Sequence, residues 1–215
     1  MKTSRIYDAW LRYALGTETP ERRFESEEAA FLERASPEEK VEAITLTFAR
    51  CAKDLVGFDD SRLASGMQIL FDQGEDDWIM ALQDTSVPLD RRVDALRALP
   101  ILYRHCFAPR LPDNAPHNDK LKHLVFMLWE FSPLVWWEEH VDWLRMYEEL
   151  TILLAEVLEI DNRACRMSAL HGLGHLVRPA GPGVSKCINR FLEAHPELDQ
   201  EVREYARVAA TGRLQ

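Results

Sequence analysis

The chain has 215 residues, of which 47% are hydrophobic and 29% are charged, a composition typical of a folded globular protein and not of a disordered or fibrous one. Acidic side chains number 36 against 26 Lys and Arg, so the formal net charge is −10. Because such a chain repels phosphate groups, it disfavours binding to nucleic acid or to an anionic membrane and permits a basic protein partner.

The distribution of cysteine and apolar residues bears on the cellular compartment. The four cysteines, Cys51, Cys106, Cys165 and Cys187, are widely spaced and form no C-x-x-C pair, which favours reduced thiols in a cytoplasmic protein. The first residues lack the apolar run of a signal peptide. Charged residues and a proline interrupt the most apolar stretch, 121–137, so we expect no membrane-spanning segment.

Apolar residues recur at helical spacing along the whole chain, and strand signals are nearly absent, which predicts an all-α protein. The clearest helix start is at Ser36, where Pro37 can take the first helical position and Glu39 can close a capping box. The pattern predicts helices near residues 4–15, 20–34, 37–55, 61–72, 75–84, 90–106, 118–131, 134–159 (as one helix or a broken one), 162–177, 183–194 and 199–213.

The connections between these helices are mostly short, so consecutive helices are expected to be antiparallel neighbours. Asp161 can cap the helix that follows it, and residues 195–199 form another short link. The proline-rich stretch 108–118 and the stretch 178–183 are the longest breaks. We predict a single all-α domain over residues 1–215 with a possible subdomain break at 108–118.

Three segments share a pattern in which an arginine is followed by small and apolar residues at helical spacing. They begin at Arg92, Arg166 and Arg203, which are separated by 74 and 37 residues. The pattern resembles the second helices of the HEAT-like α-solenoid family, over residues 75–106, 147–177 and 183–213. The resemblance implies antiparallel helix pairs stacked as a short solenoid, and an irregular helical bundle is the alternative. Residues expected to be buried in this packing are Ala95, Leu99, Leu102, Ala169, Leu173, Leu176, Val202 and Ala206.

HEAT-like folds usually bind other proteins along a groove, so the resemblance implies a non-enzymatic scaffold or adaptor. Charge and size also suit an immunity-type inhibitor of a basic partner. Stacking in register predicts one row of Asp94, Ser168 and Tyr205, a second of Arg97, His171 and Val208, and a third position where Arg104 aligns with Arg178. His175 belongs to the same polar helix face, and Trp136 or Trp137 is expected at its edge. These residues form the predicted protein-binding surface.

Other groups admit a chemical interpretation. His171 and His175 have the spacing of a two-histidine metal pair, but no third ligand stands at a recognisable spacing, so we expect no metal and no cofactor. A metal-dependent enzyme around this pair is one alternative function. A nucleic-acid enzyme similar to HEAT-like glycosylases is another, and it requires a basic groove. Glu148 and Glu149 are expected on a solvated face, and the tryptophan cluster over 129–143 is either core or interface. No motif indicates a catalytic residue.

Overall fold

The computed structural model describes residues 4–16, 25–72, 78–113, 119–136 and 142–214. All regular structure in these ranges is helical and no strand occurs in them, which confirms the predicted all-α class. The helices are α1 (Arg5–Leu15), α2 (Glu27–Leu32), α3 (Pro37–Ala49), α4 (Cys51–Asp54), α5 (Asp60–Phe71), α6 (Leu89–Arg97), α7 (Leu99–Leu102), α8 (Ala108–Arg110), α9 (Lys120–Phe131), α10 (Trp143–Leu158), α11 (Arg163–Ala180), α12 (Pro182–Ala194) and α13 (Gln200–Ala209). A π-helical segment, Tyr103–Phe107, joins α7 to α8.

Side-chain caps start most of the longer helices, and one of them was predicted from the sequence. The Ser36 hydroxyl accepts from the backbone N–H of Glu39, and the Glu39 carboxylate accepts from the backbone N–H of Ser36, so the predicted capping box is present. At the start of α11, however, the cap is Asn162 and not Asp161. The Asn162 side-chain oxygen accepts from the N–H of Cys165, which satisfies one of the free donors of the first turn.

Several helix boundaries differ from the prediction. In the described part of 75–84 the chain forms only a 3₁₀ turn at Ile79–Leu82, and Pro133–Val135 is another short 3₁₀ turn ahead of α10. Helix α11 continues through Pro179 and ends at Ala180, with Gly181 as its C-cap. Gly181 has a φ of +86°, which a residue without a Cβ adopts at little cost, so one residue suffices to turn the chain into α12.

The helices pack in two rows, each defined by contacts between successive members. In the first row α3 contacts α6, α6 contacts α10 and α10 contacts α12. In the second row α1 contacts α5, and the contacts continue through α9 and α11 to α13. Contacts between α10 and α11 and between α12 and α13 hold the rows together. No helix in the described ranges is long and apolar enough to cross a bilayer.

Burial confirms the predicted core positions, but the predicted register of the repeat is wrong. All eight residues expected in the packing stripe, from Ala95 to Ala206, are buried. The segment that begins at Arg92 lies in α6 and belongs to the first row, whereas those at Arg166 and Arg203 lie in α11 and α13 of the second row. The first segment therefore occupies a different place in the packing from the other two, and the predicted rows through all three segments do not form.

Candidate functional site

The candidate site lies where α9 packs against α11. Ser168, His171 and His175 follow one another along one side of α11 at spacings of three and four residues. Gly172 lies among them, and a Cβ at this position would come within 2.8 Å of the Trp129 indole of α9. Glycine thus allows α9 and α11 to approach closely, and this approach brings the side chains of α9 against the polar stripe of α11.

Ser168 is part of the core, so its prediction as a groove residue is wrong. Its hydroxyl donates to the backbone carbonyl of Val125 and accepts from the indole N–H of Trp129 at 3.1 Å. The Tyr103 hydroxyl lies 2.8 Å away, and because the single Ser168 proton already bonds Val125, Tyr103 must be the donor. The group is completely buried and fully satisfied, which is typical of a structural polar contact.

One turn further along α11, His171 and His175 meet a carboxylate that the sequence spacing did not indicate. Glu130 Oε1, on α9, lies 2.8 Å from His171 Nε2 and 3.4 Å from His175 Nε2. One donor atom from each residue lies within 4.8 Å of the other two. The premise that the histidine pair lacks a third ligand is therefore wrong, because packing of α9 supplies one from 41 residues away in sequence.

Aromatic rings surround this cluster. The rings of His171 and His175 stack with centroids 5.0 Å apart, and Phe126 covers His171 at 4.7 Å. Tyr205 of α13 lies 6.3 Å from the His171 ring, whereas the sequence predicts it in a row with Asp94 and Ser168. Trp136 lies 5.7 Å from the His175 ring and is 57% exposed, which places it at the solvent edge.

Burial and neighbouring charges fix the ionisation of the cluster. Burial acts to raise the pKa of Glu130, but the hydrogen bond from His171 and the charges of both histidines act to lower it, and the net shift is downward. Burial, with the adjacent His171, lowers the pKa of His175. Burial and the Glu130 charge raise the pKa of Tyr205 to about 12. Near neutral pH the cluster therefore holds a carboxylate, a neutral His175 imidazole and a protonated phenol.

Two ring nitrogens in the cluster have no hydrogen-bond partner. They are His171 Nδ1 and His175 Nε2, and both are buried. Because the Glu130 carboxylate only accepts, His171 Nε2 carries the proton of their hydrogen bond, and His171 Nδ1 has no partner. Buried polar atoms without partners are rare and costly, and they mark this cluster as incomplete within the part of the chain that the structure describes.

The arginine and aspartate predicted beside these histidines lie elsewhere, on α6. Asp94 and Arg97 are both exposed, and the Arg97 guanidinium donates to Glu149 of α10 at 2.9 Å and 3.2 Å. Arg145 donates to the same carboxylate. Glu149 is itself buried, so the prediction that it lies on a solvated face is wrong: it is the acceptor that joins α6 to α10. Exposed Glu148 fits that prediction.

The remaining predicted residues are peripheral to the cluster. Arg104, in the π-helical segment, and Arg178, near the end of α11, are exposed. Trp137 lies outside the described residues. The tryptophan cluster divides: Trp129 is fully buried and Trp136 is exposed, while Trp143 is half-buried. The tryptophan cluster is therefore neither wholly core nor wholly surface.

A recess that the sequence analysis did not predict lies between α3 and α6. Its volume is about 440 Å³. Four carboxylates contribute to its wall, namely those of Glu38, Glu39, Glu42 and Asp94, and Arg91 is the basic residue among the described lining residues. Only the contact of α3 with α6, which lie far apart in sequence, assembles this acidic groove.

Comparisons of the chain with protein-family models, with curated proteins and with solved structures find no match. Two groups of polar side chains are candidate binding sites: the acidic groove between α3 and α6, and the cluster of Glu130, His171 and His175.

Proposed function

We propose that this protein is a non-enzymatic protein-binding scaffold whose acidic groove, formed by Glu38, Glu39, Glu42 and Asp94, holds a basic segment of a partner protein. The observation that carries the proposal is the groove itself, where four carboxylates and one arginine share a recess. An immunity-type inhibitor that covers a basic surface in the cytoplasm is the version that this charge favours. The four free cysteines, three of them buried, fit a reducing compartment.

The proposed architecture is a short HEAT-like stack. The two rows of contacts support it, because α3, α6, α10 and α12 follow one another on one side, and α5, α9, α11 and α13 follow one another on the other. In such a stack each helix pair contacts mainly its neighbours, and equivalent helices present a continuous surface. The acidic groove lies between two members of the first row, where a partner can contact several helices together.

Glu38 and Asp94 of the groove are available to a partner, whereas Glu39 is held in the capping box of α3. Glu38 and Arg91 are 3.9 Å apart with both side chains largely exposed, a contact that contributes little to stability and that a lysine or arginine of the partner can replace. The Asp94 side chain is also mostly exposed, at 3.9 Å from Arg97. The net charge of −10 adds long-range attraction for a basic partner and repulsion for nucleic acid.

Helix α10 extends this surface with apolar groups. Leu144 and Ile152 are 56% and 53% exposed, and they alternate with exposed Glu148 and Glu156 at four-residue spacing, which places all four on one side of the helix. Helix α6 contacts both α3 and α10, so it connects the groove to this stripe. Apolar anchors beside charges that orient the partner are the usual parts of a protein interface.

Photo-crosslinking in the source cell tests the proposal. We place benzoylphenylalanine at Leu46 in the groove wall and, as a control, at exposed Gln68 on α5 of the second row. We expect the Leu46 probe to capture a basic protein that the Gln68 probe does not capture. The charge-reversal variant Glu38→Lys, Glu42→Lys, Asp94→Lys should recover at least tenfold less of that protein.

The matched control reverses three exposed carboxylates outside the groove, with the same change in net charge: Glu33→Lys, Glu193→Lys, Glu204→Lys. This variant should recover the partner almost as well as the unmodified chain, and higher salt should weaken capture by both proteins. Capture of an acidic protein or of nucleic acid at Leu46, or equal recovery by the two triple variants, would contradict the proposal.

A further inference from the structure

We propose that Glu130, His171 and His175 form a binding site for one divalent transition-metal ion. The site lies between α9 and α11 of the second row, so it is separate from the acidic groove and does not depend on the scaffold function. It also replaces the expectation, drawn from sequence spacing, that the histidine pair has no third ligand. Two imidazoles and one carboxylate are donors that zinc and iron accept in proteins.

The distances fit a shared ion. Two atoms each bonded at about 2.1 Å to the same ion stand about 3.0 Å apart when the angle is about 90°, and about 3.4 Å apart when it is tetrahedral. Glu130 Oε1 lies 2.8 Å from His171 Nε2 and 3.4 Å from His175 Nε2. The remaining pair of donor atoms is within 4.8 Å. Small rotations of the side chains therefore suffice to bring three donors to one ion.

A cation missing from this cluster explains why His175 Nε2 has no hydrogen-bond partner. Both histidines direct Nε2 at the same carboxylate oxygen, and only His171 makes a hydrogen bond to it. His175 Nε2 is buried without a partner, although it is only 3.4 Å from that oxygen. An ion at the centre accepts the lone pair of each Nε2 atom and the charge of the carboxylate, and it gives His175 Nε2 the partner that it lacks. The proton of His171 moves from Nε2 to Nδ1 when Nε2 binds the ion.

A surface cluster elsewhere shows why this arrangement differs from an ordinary histidine ion pair. His195 also contacts two carboxylates, but its Nδ1 faces Glu197 and its Nε2 faces Glu159. The two ring nitrogens point in different directions, so those carboxylates cannot share an ion through one nitrogen. At the Glu130 cluster, by contrast, the donor atoms of three residues converge.

The surroundings set the affinity and the choice of metal. His171 Nδ1 has no acceptor among the described residues, so the site lacks the supporting hydrogen bond that usually strengthens a histidine ligand by 10- to 100-fold. We therefore expect micromolar affinity. Magnesium and calcium prefer oxygen ligands and should bind poorly. Three protein ligands leave a coordination position for water, and Glu130, whose side chain is 36% exposed, lies on the solvent side.

Titration of the full chain, stripped with a chelator, tests the site. We expect one Co²⁺ per chain with visible absorption bands, displacement by Zn²⁺, and no competition from Mg²⁺. Co²⁺ should also quench part of the tryptophan fluorescence, because Trp136 lies 5.7 Å from the His175 ring. The variant Trp136→Phe should lose that part of the quenching and keep the absorption bands.

Glu130→Gln and His175→Gln should each weaken binding at least tenfold, whereas the matched control His195→Gln should bind as the unmodified chain does. Both test residues are less buried than His171, and their thermal unfolding without metal serves as the folding control. Zn²⁺ should raise the unfolding midpoint of the unmodified chain and of His195→Gln only. No saturable binding at micromolar Zn²⁺, or equal affinity in the Glu130 and His195 variants, would overturn the proposal.

Discussion

Two polar clusters lie one turn apart on α11, in contact with the same helix α9, and they differ in completeness. The Ser168 cluster is sealed in the core, and its hydroxyl donates one hydrogen bond and accepts two. The Glu130 cluster reaches solvent through its carboxylate and leaves a nitrogen unpartnered on each of its two histidines. Polar residues packed between the same pair of helices thus differ: Ser168 has all its hydrogen-bond partners, whereas His171 and His175 each have a ring nitrogen without one.

We interpret this difference as one between a structural role and the proposed ligand-binding role. A buried polar cluster that is fully satisfied contributes to a unique packing of its helices and has no capacity for a ligand. A buried cluster with free donor atoms costs stability, and such a cost is typical of a site that is completed by something it binds. The comparison predicts that substitutions at Ser168 act on stability, and that those at Glu130 and His175 act on ligand binding.

The largest expected effect is that of Ser168→Ala. The substitution leaves the Trp129 indole N–H and the Tyr103 hydroxyl buried without their acceptor, at about 1–3 kcal/mol for each group. We expect the free energy of unfolding in urea to fall by about 2–4 kcal/mol. The control Ser65→Ala removes an exposed hydroxyl that bonds only its own helix and should change stability by less than about 0.5 kcal/mol. Equal effects of the two substitutions would break the comparison.

A smaller effect is expected for Gly172→Ala, between the two clusters. The added methyl group would lie 2.8 Å from the Trp129 ring and 2.9 Å from Leu154, and the hydrogen bond to Ser168 holds the indole in place. Overpacking costs about 1–3 kcal/mol, and the gain in helix propensity offsets up to about 1 kcal/mol of it. We expect a net loss of about 1–2 kcal/mol.

The matched control for this substitution is Gly183→Ala in α12, where an added Cβ meets nothing within 4 Å. Because the change restricts the unfolded chain, this variant should be as stable as the unmodified protein or slightly more stable in the same urea titration. If Gly172→Ala is equally well tolerated, the close approach of α9 to α11 is not what this glycine serves.

The smallest effect is a difference in pH dependence between two histidines. Burial and His171 lower the pKa of His175, so the unfolded chain binds the proton more tightly, and stability falls as the pH drops below the ordinary histidine value of about 6.5. The hydrogen bond to Glu197 raises the pKa of His195, so its contribution is present below that value and is lost as the pH rises through the raised pKa.

Unfolding midpoints measured between about pH 5.5 and 7.5 check these signs. Relative to the unmodified chain, His175→Gln should lose less stability on acidification, and His195→Gln should lose more. Parallel curves for the two variants would show that the surroundings of the two histidines do not differ as described.

Much of the fold is readable from local sequence. The Ser36 capping box, the helical spacing and the eight buried core positions all depend on interactions within one helix or on one apolar stripe. Where the prediction from sequence is wrong, contacts between segments far apart in the chain are the reason. The small-residue pattern shared by the segments at Arg92 and Arg166 suggested equivalent helices, yet similar packing stripes serve helices in different rows.

The sequence indicates two of the three residues of the candidate site. The spacing of His171 and His175 indicates two donors on one helix face, but Glu130 joins them from α9 with no local signal. The sequence alone does not single out Glu130 as the third residue, because the chain has 36 acidic residues. The sequence likewise does not predict the burial of Ser168, because serine occurs both in solvent and in core positions where its hydrogen bonds are satisfied.

The sequence by itself determined the all-α class, the position of most helices and which faces point inward, because helical periodicity and end caps are properties of short segments. Only the tertiary structure decided which helices became neighbours. That choice depends on how side chains from distant segments interlock, as when Gly172 admits the Trp129 indole. It brought Glu130 to the two histidines and Asp94 to the carboxylates of α3, so both proposed sites are products of packing between helices.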